Sequence, residues 1–149
     1  MMEIIGTRSI GKARHSAERL VPETRITISS NADILEARKT GSMLVQKMGF
    51  SGSRITLVTT VISELARNIL LYARGGEIVL SRLNGGAQLN VTALDQGPGI
   101  ENLPVVLAGG YSTSGGLGLG LCGLRRIVDE FDIRTQVGRG TQVFVSIHA

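Results

Sequence analysis

Apolar residues recur at spacings of three and four along two stretches of the chain. Ile55, Val58, Ile62, Leu65, Ile69 and Tyr72 trace the clearer stripe. It predicts a helix capped by Ser51 or Ser53 and stopped by Gly75-Gly76. Upstream, Ile34, Ala37, Gly41, Leu44, Val45 and Met48 share a face of a helix predicted over 32–48, with Asn31 as its N-cap and Gly49 closing it. Alternating, β-branched residues predict a strand over 24–29. Further strands are predicted over 77–83 and 88–94, joined by the hairpin signal Asn84-Gly85-Gly86. Residues 95–116 read as loop with a short helix near 103–108. A last helix is predicted over 119–131, then strands over 133–137 and 142–147 around the turn Gly138-Arg139-Gly140-Thr141.

The order is strand, two helices, two strands, loop, helix, two strands. Strict alternation is missing, so the pattern predicts an α+β fold: a two-layer sandwich of a mixed, mostly antiparallel sheet with helices on one face. Residues 1–22, with Arg8, Lys12, Arg14 and Arg19, read as a loose basic extension ending at Pro22. Residues 23–149 form the domain. A chain of 149 residues fits a single core, and aromatics at 3% make that core aliphatic.

Charge narrows the function classes. The net charge is +4, and outside residues 1–22 the basic residues are scattered, with no basic stripe and no stacking aromatics, so nucleic acid is not an expected partner. An uninterrupted apolar run of 18 or more is missing, so no membrane span is expected, and the N-terminus lacks the apolar centre of a secretory signal. The lone Cys122 has no internal disulfide partner, which favours a reducing, cytoplasmic setting. With His15 and His148 near the chain's ends, that thiol has no evident base.

Three segments carry candidate chemistry. In Ser63-Glu64-Leu65-Ala66-Arg67-Asn68, Glu64 and Asn68 lie one helical turn apart on a shared face. An amide oxygen suits Mg²⁺, and a carboxylate one turn away can orient or deprotonate a nucleophile. The plain alternative is a solvated face with Glu64 paired to Arg67. Next, Asp95-Gln96-Gly97-Pro98-Gly99-Ile100 follows an apolar strand. A carboxylate there can accept a hydrogen bond from an exocyclic amine such as adenine's, and Gly97 and Gly99 let backbone approach a ligand. The plain alternative is a glycine turn. Third, Ser112, Thr113, Ser114, Gly115, Gly116, Leu117, Gly118, Leu119 and Gly120 open a helix. Free N–H groups and hydroxyls there can cradle a triphosphate; the plain alternative is a flexible loop. No P-loop motif occurs, and Gly118–Gly123 lacks the strand and the later acidic residue of a dinucleotide fold.

Taken together, Glu64–Asn68, Asp95–Ile100 and 112–121 resemble the N-box and glycine boxes of the GHKL ATPases (gyrase, chaperone, histidine kinase, mismatch-repair), and Gly138–Thr141 resembles their last box. Within that class the chain is most similar to the RsbT-type switch serine/threonine kinases, a branch of the anti-sigma-factor kinases that acts in bacterial stressosomes. The resemblance covers residues 23–149; residues 1–22 have no recognised counterpart. It implies Glu64 as general base, Asn68 as Mg²⁺ ligand and Asp95 as reader of the adenine amine. It further implies Gly97, Gly99 and Ile100 along the purine, residues 112–120 around the phosphates and Thr141 supporting the adenine site. ATP and Mg²⁺ are the implied cofactors. STAS-domain proteins are the implied substrates, with a PP2C-type phosphatase or other output protein as a further partner. A histidine autokinase is not expected, because His15 leaves no room for a helical hairpin before the domain. The second reading is a nucleotide-dependent protein clamp, as in anti-sigma factors, with little or no phosphotransfer.

Overall fold

The structure is a computed structural model that describes residues 2–6, 23–109 and 120–149. The first helix, α1 (Asn31–Lys47), starts one residue earlier than its sequence suggests, with Ser30 rather than Asn31 as N-cap. The cause is Asp33, whose carboxylate accepts the backbone N–H groups of Ser29 at 2.8 Å and Ser30 at 3.2 Å. These bonds, Ser29's foremost, hold the Asp33 carboxyl below its ordinary pKa. The predicted apolar face is the one that is buried: Ile34, Ala37, Gly41 and Val45.

Helix α2 (Gly52–Ala73) is capped by Ser51, whose hydroxyl accepts the Arg54 N–H at 3.4 Å. It ends on Arg74 in the left-handed region, ahead of the expected glycines. Gly76 has a different task. It opens a strand, and a Cβ there would run into the Leu94 carbonyl oxygen. α2 has the length and apolar composition of a bilayer-crossing helix, but Val58, Val61, Ile62, Leu65, Ala66 and Ile69 are packed into the protein core.

Six strands form one sheet: β1 (Met2–Gly6), β2 (Glu23–Ile28), β3 (Gly76–Leu83), β4 (Gln88–Asp95), β5 (Glu130–Gln136) and β6 (Gly140–His148). Their spatial order is β1-β5-β6-β4-β3-β2, and every pairing is antiparallel. β1 corrects the reading of the N-terminus. Residues 2–6 pair with β5 from Met2↔Gln136 to Gly6↔Asp132, so they are part of the sheet and not a loose extension. The remainder of that segment, 7–22, lies outside the described residues.

The two short helices are α3 (Leu103–Leu107) and α4 (Gly120–Ile127). α4 is shorter than the predicted 119–131, because Glu130 and Phe131 already belong to β5. Ile78 and Leu80, Val91 and Ala93, Val143 and Val145 face the helices and share one core with them. That core is aliphatic, with Phe131 and Phe50 as aromatic members. One ion pair staples the ends. Arg54 Nη2 meets Asp129 Oδ2 at 2.7 Å, the same oxygen accepts the His148 N–H at 2.8 Å, and Arg54 Nε donates to the His148 carbonyl at 3.0 Å.

Candidate functional site

At one end of the sandwich the helices part from the sheet and leave a cleft of about 850 Å³. Its floor is the last residue of β4 and the start of β6. Asp95 and Thr141 are cross-strand neighbours there, on the helix-facing side of the sheet, and both line the cleft. Ala93 and Val143 continue the floor, and Leu65 and Ile69 of α2 make an apolar wall.

Asp95 is half-buried, and burial pushes its carboxyl above the ordinary carboxylate range. The N–H groups of Gly97, at 2.9 Å, and of Thr141 pull the other way without offsetting it. Thr141 is fixed by Thr135: their hydroxyls lie 2.9 Å apart, and Thr135 Oγ1 accepts the Ile100 N–H at 2.9 Å. This bond ties the 95–100 loop to β5, so three segments far apart in sequence form one rigid wall.

The glycines of that loop serve close approach to protein as well as any ligand. Gly99 lines the cleft at φ +77°, and a Cβ there would strike the Gln136 carbonyl. Gly97 is not among the lining residues; a Cβ on it would stand 2.6 Å from Ala73 Cβ. We expect Gly99→Ala to destabilise the domain by about 1–3 kcal/mol through overpacking and an unfavourable φ. Urea midpoints check this. Gly52→Ala, with open space around its Cβ, is the control and should not lower the midpoint.

Across the cleft, Asn68 of α2 is a lining residue, and its side-chain amide has no hydrogen-bond partner among the described residues. Glu64, one turn earlier, is not a lining residue. It is 7% exposed, and Arg67 donates to its carboxylate at 2.5 Å. The Glu64–Arg67 pair is therefore present, with its carboxylate buried and its guanidinium exposed. Ionised side chains are rarely buried to this degree without partners. Ile100, Gly120 and Thr141 line the cleft as well. Ser112, Thr113, Ser114, Gly115, Gly116, Leu117, Gly118 and Leu119 lie outside the described residues. The sequence reading missed Ile69, Tyr72, Ala93, Val137, Val143 and Arg126 as cleft residues. Tyr72 and Val137 are apolar residues that the fold leaves more than half exposed beside the cleft, which their sequence context does not signal.

The sequence profile of the histidine kinase-, DNA gyrase B- and HSP90-like ATPases matches residues 53–149, the span that holds α2, the cleft floor and the 95–100 loop. The chain belongs to this ATPase family. Among its relatives is the serine/threonine-protein kinase RsbT of Bacillus subtilis (strain 168), 42% identical over 120 residues, covering 79% of this chain and 90% of the relative. Another is the anti-sigma F factor of Anoxybacillus flavithermus (strain DSM 21510 / WK1), 27% identical over 119 residues, with 75% and 82% covered. The crystal structure of the RsbU and RsbW domains of a Mycobacterium tuberculosis protein shares the fold. Its TM-score is 0.61 at 19% identity, over 85% of this chain and 32% of that one. As an ATPase-family domain, the chain has its cleft between sheet and helices, with Asp95 at the floor.

Proposed function

We propose that the chain is an ATP-dependent serine/threonine-protein kinase of a partner-switching pathway, acting on a STAS-domain protein. One arrangement carries this reading: a half-buried carboxylate, Asp95, beside Thr141 on the floor of an apolar cleft that Asn68 also lines, its amide without a hydrogen-bond partner among the described residues. Likeness to a named serine/threonine-protein kinase at 42% identity supports it. The domain proposed to bind nucleotide is 23–149, acting in the cytoplasm. A PP2C-type phosphatase or similar output protein is the proposed second partner.

Asp95 accepts the adenine amine, with Leu65, Ile69, Ala93 and Val143 supplying flat apolar contact for the purine. From their sequence, residues 112–120 are proposed to enclose the phosphates. A single amide oxygen suits Mg²⁺, which keeps several waters and takes further ligands from phosphate. When bound, the ion neutralises charge on the phosphates. Glu64 accepts the proton of the incoming serine or threonine hydroxyl, while Arg67 fixes the carboxylate's orientation. Positioning and charge neutralisation do most of the rest, because phosphoryl transfer needs little covalent help. Incubation with γ-labelled ATP and a purified STAS-domain protein tests the proposal, and label appearing on the STAS protein is the expected result.

The clamp is the second reading. Two observations favour it: likeness to a named anti-sigma factor, and the position of Glu64 beneath the cleft lining, bound to Arg67. ATP-dependent binding of a STAS-domain partner with no transfer would establish it.

Asn68→Ala separates metal binding from nucleotide binding. Affinity for Mg·ATP should drop by roughly 10–100-fold, the scale on which a metal site responds to loss of its support. Affinity measured in chelator should change little. Equal magnesium dependence in variant and wild type would remove Asn68 from the metal site.

A further inference from the structure

Position 135 lies on β5 two residues beyond Ile133 and four beyond Phe131, so it shares their helix-facing side of the strand. Both of those residues belong to the aliphatic core, and an apolar side chain would suit position 135 as well. It holds a threonine that is buried and is not among the residues lining the cleft.

The Thr135 hydroxyl has three neighbours. The Ile100 N–H reaches it at 2.9 Å, the Gly140 carbonyl oxygen lies 3.2 Å away, and Thr141 Oγ1 lies at 2.9 Å. Two of these contacts have a fixed sense, because an N–H only donates and a carbonyl only accepts. Thr135 therefore accepts from Ile100 and gives its single proton to Gly140. That decides the third contact. Thr135 has a lone pair left and no second proton, so Thr141 donates to it. No other order of donation makes all three bonds.

The consequence falls on the cleft. Thr141 Oγ1 has no other hydrogen-bond partner among the described residues, and Thr141 lines the cleft. With its proton turned into the wall, the hydroxyl has only lone pairs left for a ligand. Asp95 is its direct neighbour on β4, lines the cleft too, and as a carboxylate also accepts. The two side chains at this point of the floor thus offer acceptors side by side and no proton.

We propose that Thr135 is a positioning residue for base selection: it takes the proton of Thr141, so that the floor accepts and does not donate, and the base that fits there presents an amine. This rests on the nucleotide reading of the cleft. Thr135 acts through Thr141 and does not touch the ligand. The hairpin keeps the pair in place. Thr135 and Thr141 are cross-strand partners, Gln136 and Gly140 pair next to them, and the Arg139 N–H closes the turn on the Gln136 carbonyl at 2.9 Å. Both side chains are β-branched and hold few rotamers.

The affinities of ATP and purine riboside triphosphate test the role. The second nucleotide lacks the amine and keeps the ring nitrogen beside it as an acceptor, so the ratio of the two affinities isolates the amine. Wild type should prefer ATP. Thr135→Val keeps the shape but frees the Thr141 proton, and should shrink the preference by roughly 3- to 10-fold, the scale of one hydrogen bond. Thr135→Ser, which keeps the hydroxyl, should restore it. Thr141→Val should shrink the preference as far as Thr135→Val does, and the double variant no further, because one residue acts through the other. A merely structural Thr135 would lower both affinities alike and leave the ratio unchanged. An unchanged ratio in Thr135→Val would therefore overturn the proposal and leave the nucleotide reading standing. So would an unchanged ratio in Thr141→Val, which decides the matter if Thr135→Val does not fold. A wild type that binds neither nucleotide, or both equally, would overturn the amine reading of the cleft and this role with it.

Discussion

Replacing Glu64 with glutamine is expected to lower phosphate transfer to a STAS-domain serine by about 10²–10⁴-fold, the usual contribution of a general base, while ATP affinity stays close to wild type. The affinity expectation follows from position: Glu64 is not among the residues lining the cleft, whereas Asn68, one turn later, is. Glutamine keeps the volume of a side chain that is 7% exposed, so the change tests charge rather than packing. Arg67→Ala is the informative companion. Arg67 is exposed, and its guanidinium holds the Glu64 carboxylate. If Glu64 matters only as the partner of Arg67, the two variants lose activity alike. If Glu64 takes the hydroxyl proton, Arg67→Ala loses less, because the base remains although less well oriented. Wild-type transfer by Glu64→Gln would end the assignment of the base, and thermal melts of each variant separate loss of the base from loss of the fold.

Much of the site was legible because its parts are local. A buried helix announces its face at every third or fourth residue, and the stripe from Ile55 to Tyr72 does so over five turns. The same stripe places Glu64 and Asn68 relative to one another. The carboxylate of Asp95 at a strand end and the glycines after it could be read in the same way. What those glycines contact could not. Gly97 meets Ala73 and Gly99 meets Gln136, and both contacts depend on how a helix and a distant strand pack.

The misread boundaries share that cause. Leu124, Val128 and Phe131, spaced by four and three, fit a helical continuation of α4. The sheet decides, because Phe131 pairs with Val145 inside the core and Asp129 is held by Arg54 and His148. β1 was the least legible element. Its five residues pair with a strand 126 or more positions away, and the basic residues that follow it dominate the local composition. The Ser30 cap was missed for a smaller reason: Asp33 reaches back to two backbone N–H groups, which moves the cap one residue ahead of Asn31.

Asp95→Asn is expected to change two independent measurements. The first is nucleotide affinity. A hydrogen bond to a charged acceptor contributes about 1.5–3 kcal/mol, so ATP affinity should fall by roughly 10- to 100-fold. The variant's amide oxygen can still accept the Gly97 N–H, which leaves its NH₂ group facing the adenine amine, donor against donor. Inosine triphosphate, which lacks that amine, gives the internal comparison. Wild type should favour ATP over it, and Asp95→Asn should lose the preference. The second measurement is stability against pH, without nucleotide. Burial raises the Asp95 pKa in the folded protein above the ordinary value of 3.8. Below pH 3.8 the carboxyl is protonated in both states, and its favourable contribution is fully present. As pH rises, the unfolded chain releases its proton first and then binds fewer protons than the folded one, so stability falls until the folded-state pKa is passed. Asp95→Asn has no such proton to release. Its melting temperature relative to wild type should therefore rise between pH 3.5 and pH 7, even though its nucleotide binding is poorer. Parallel melting curves across that range, or a variant that still prefers ATP over inosine triphosphate, would show that Asp95 is not the buried acceptor of the adenine amine.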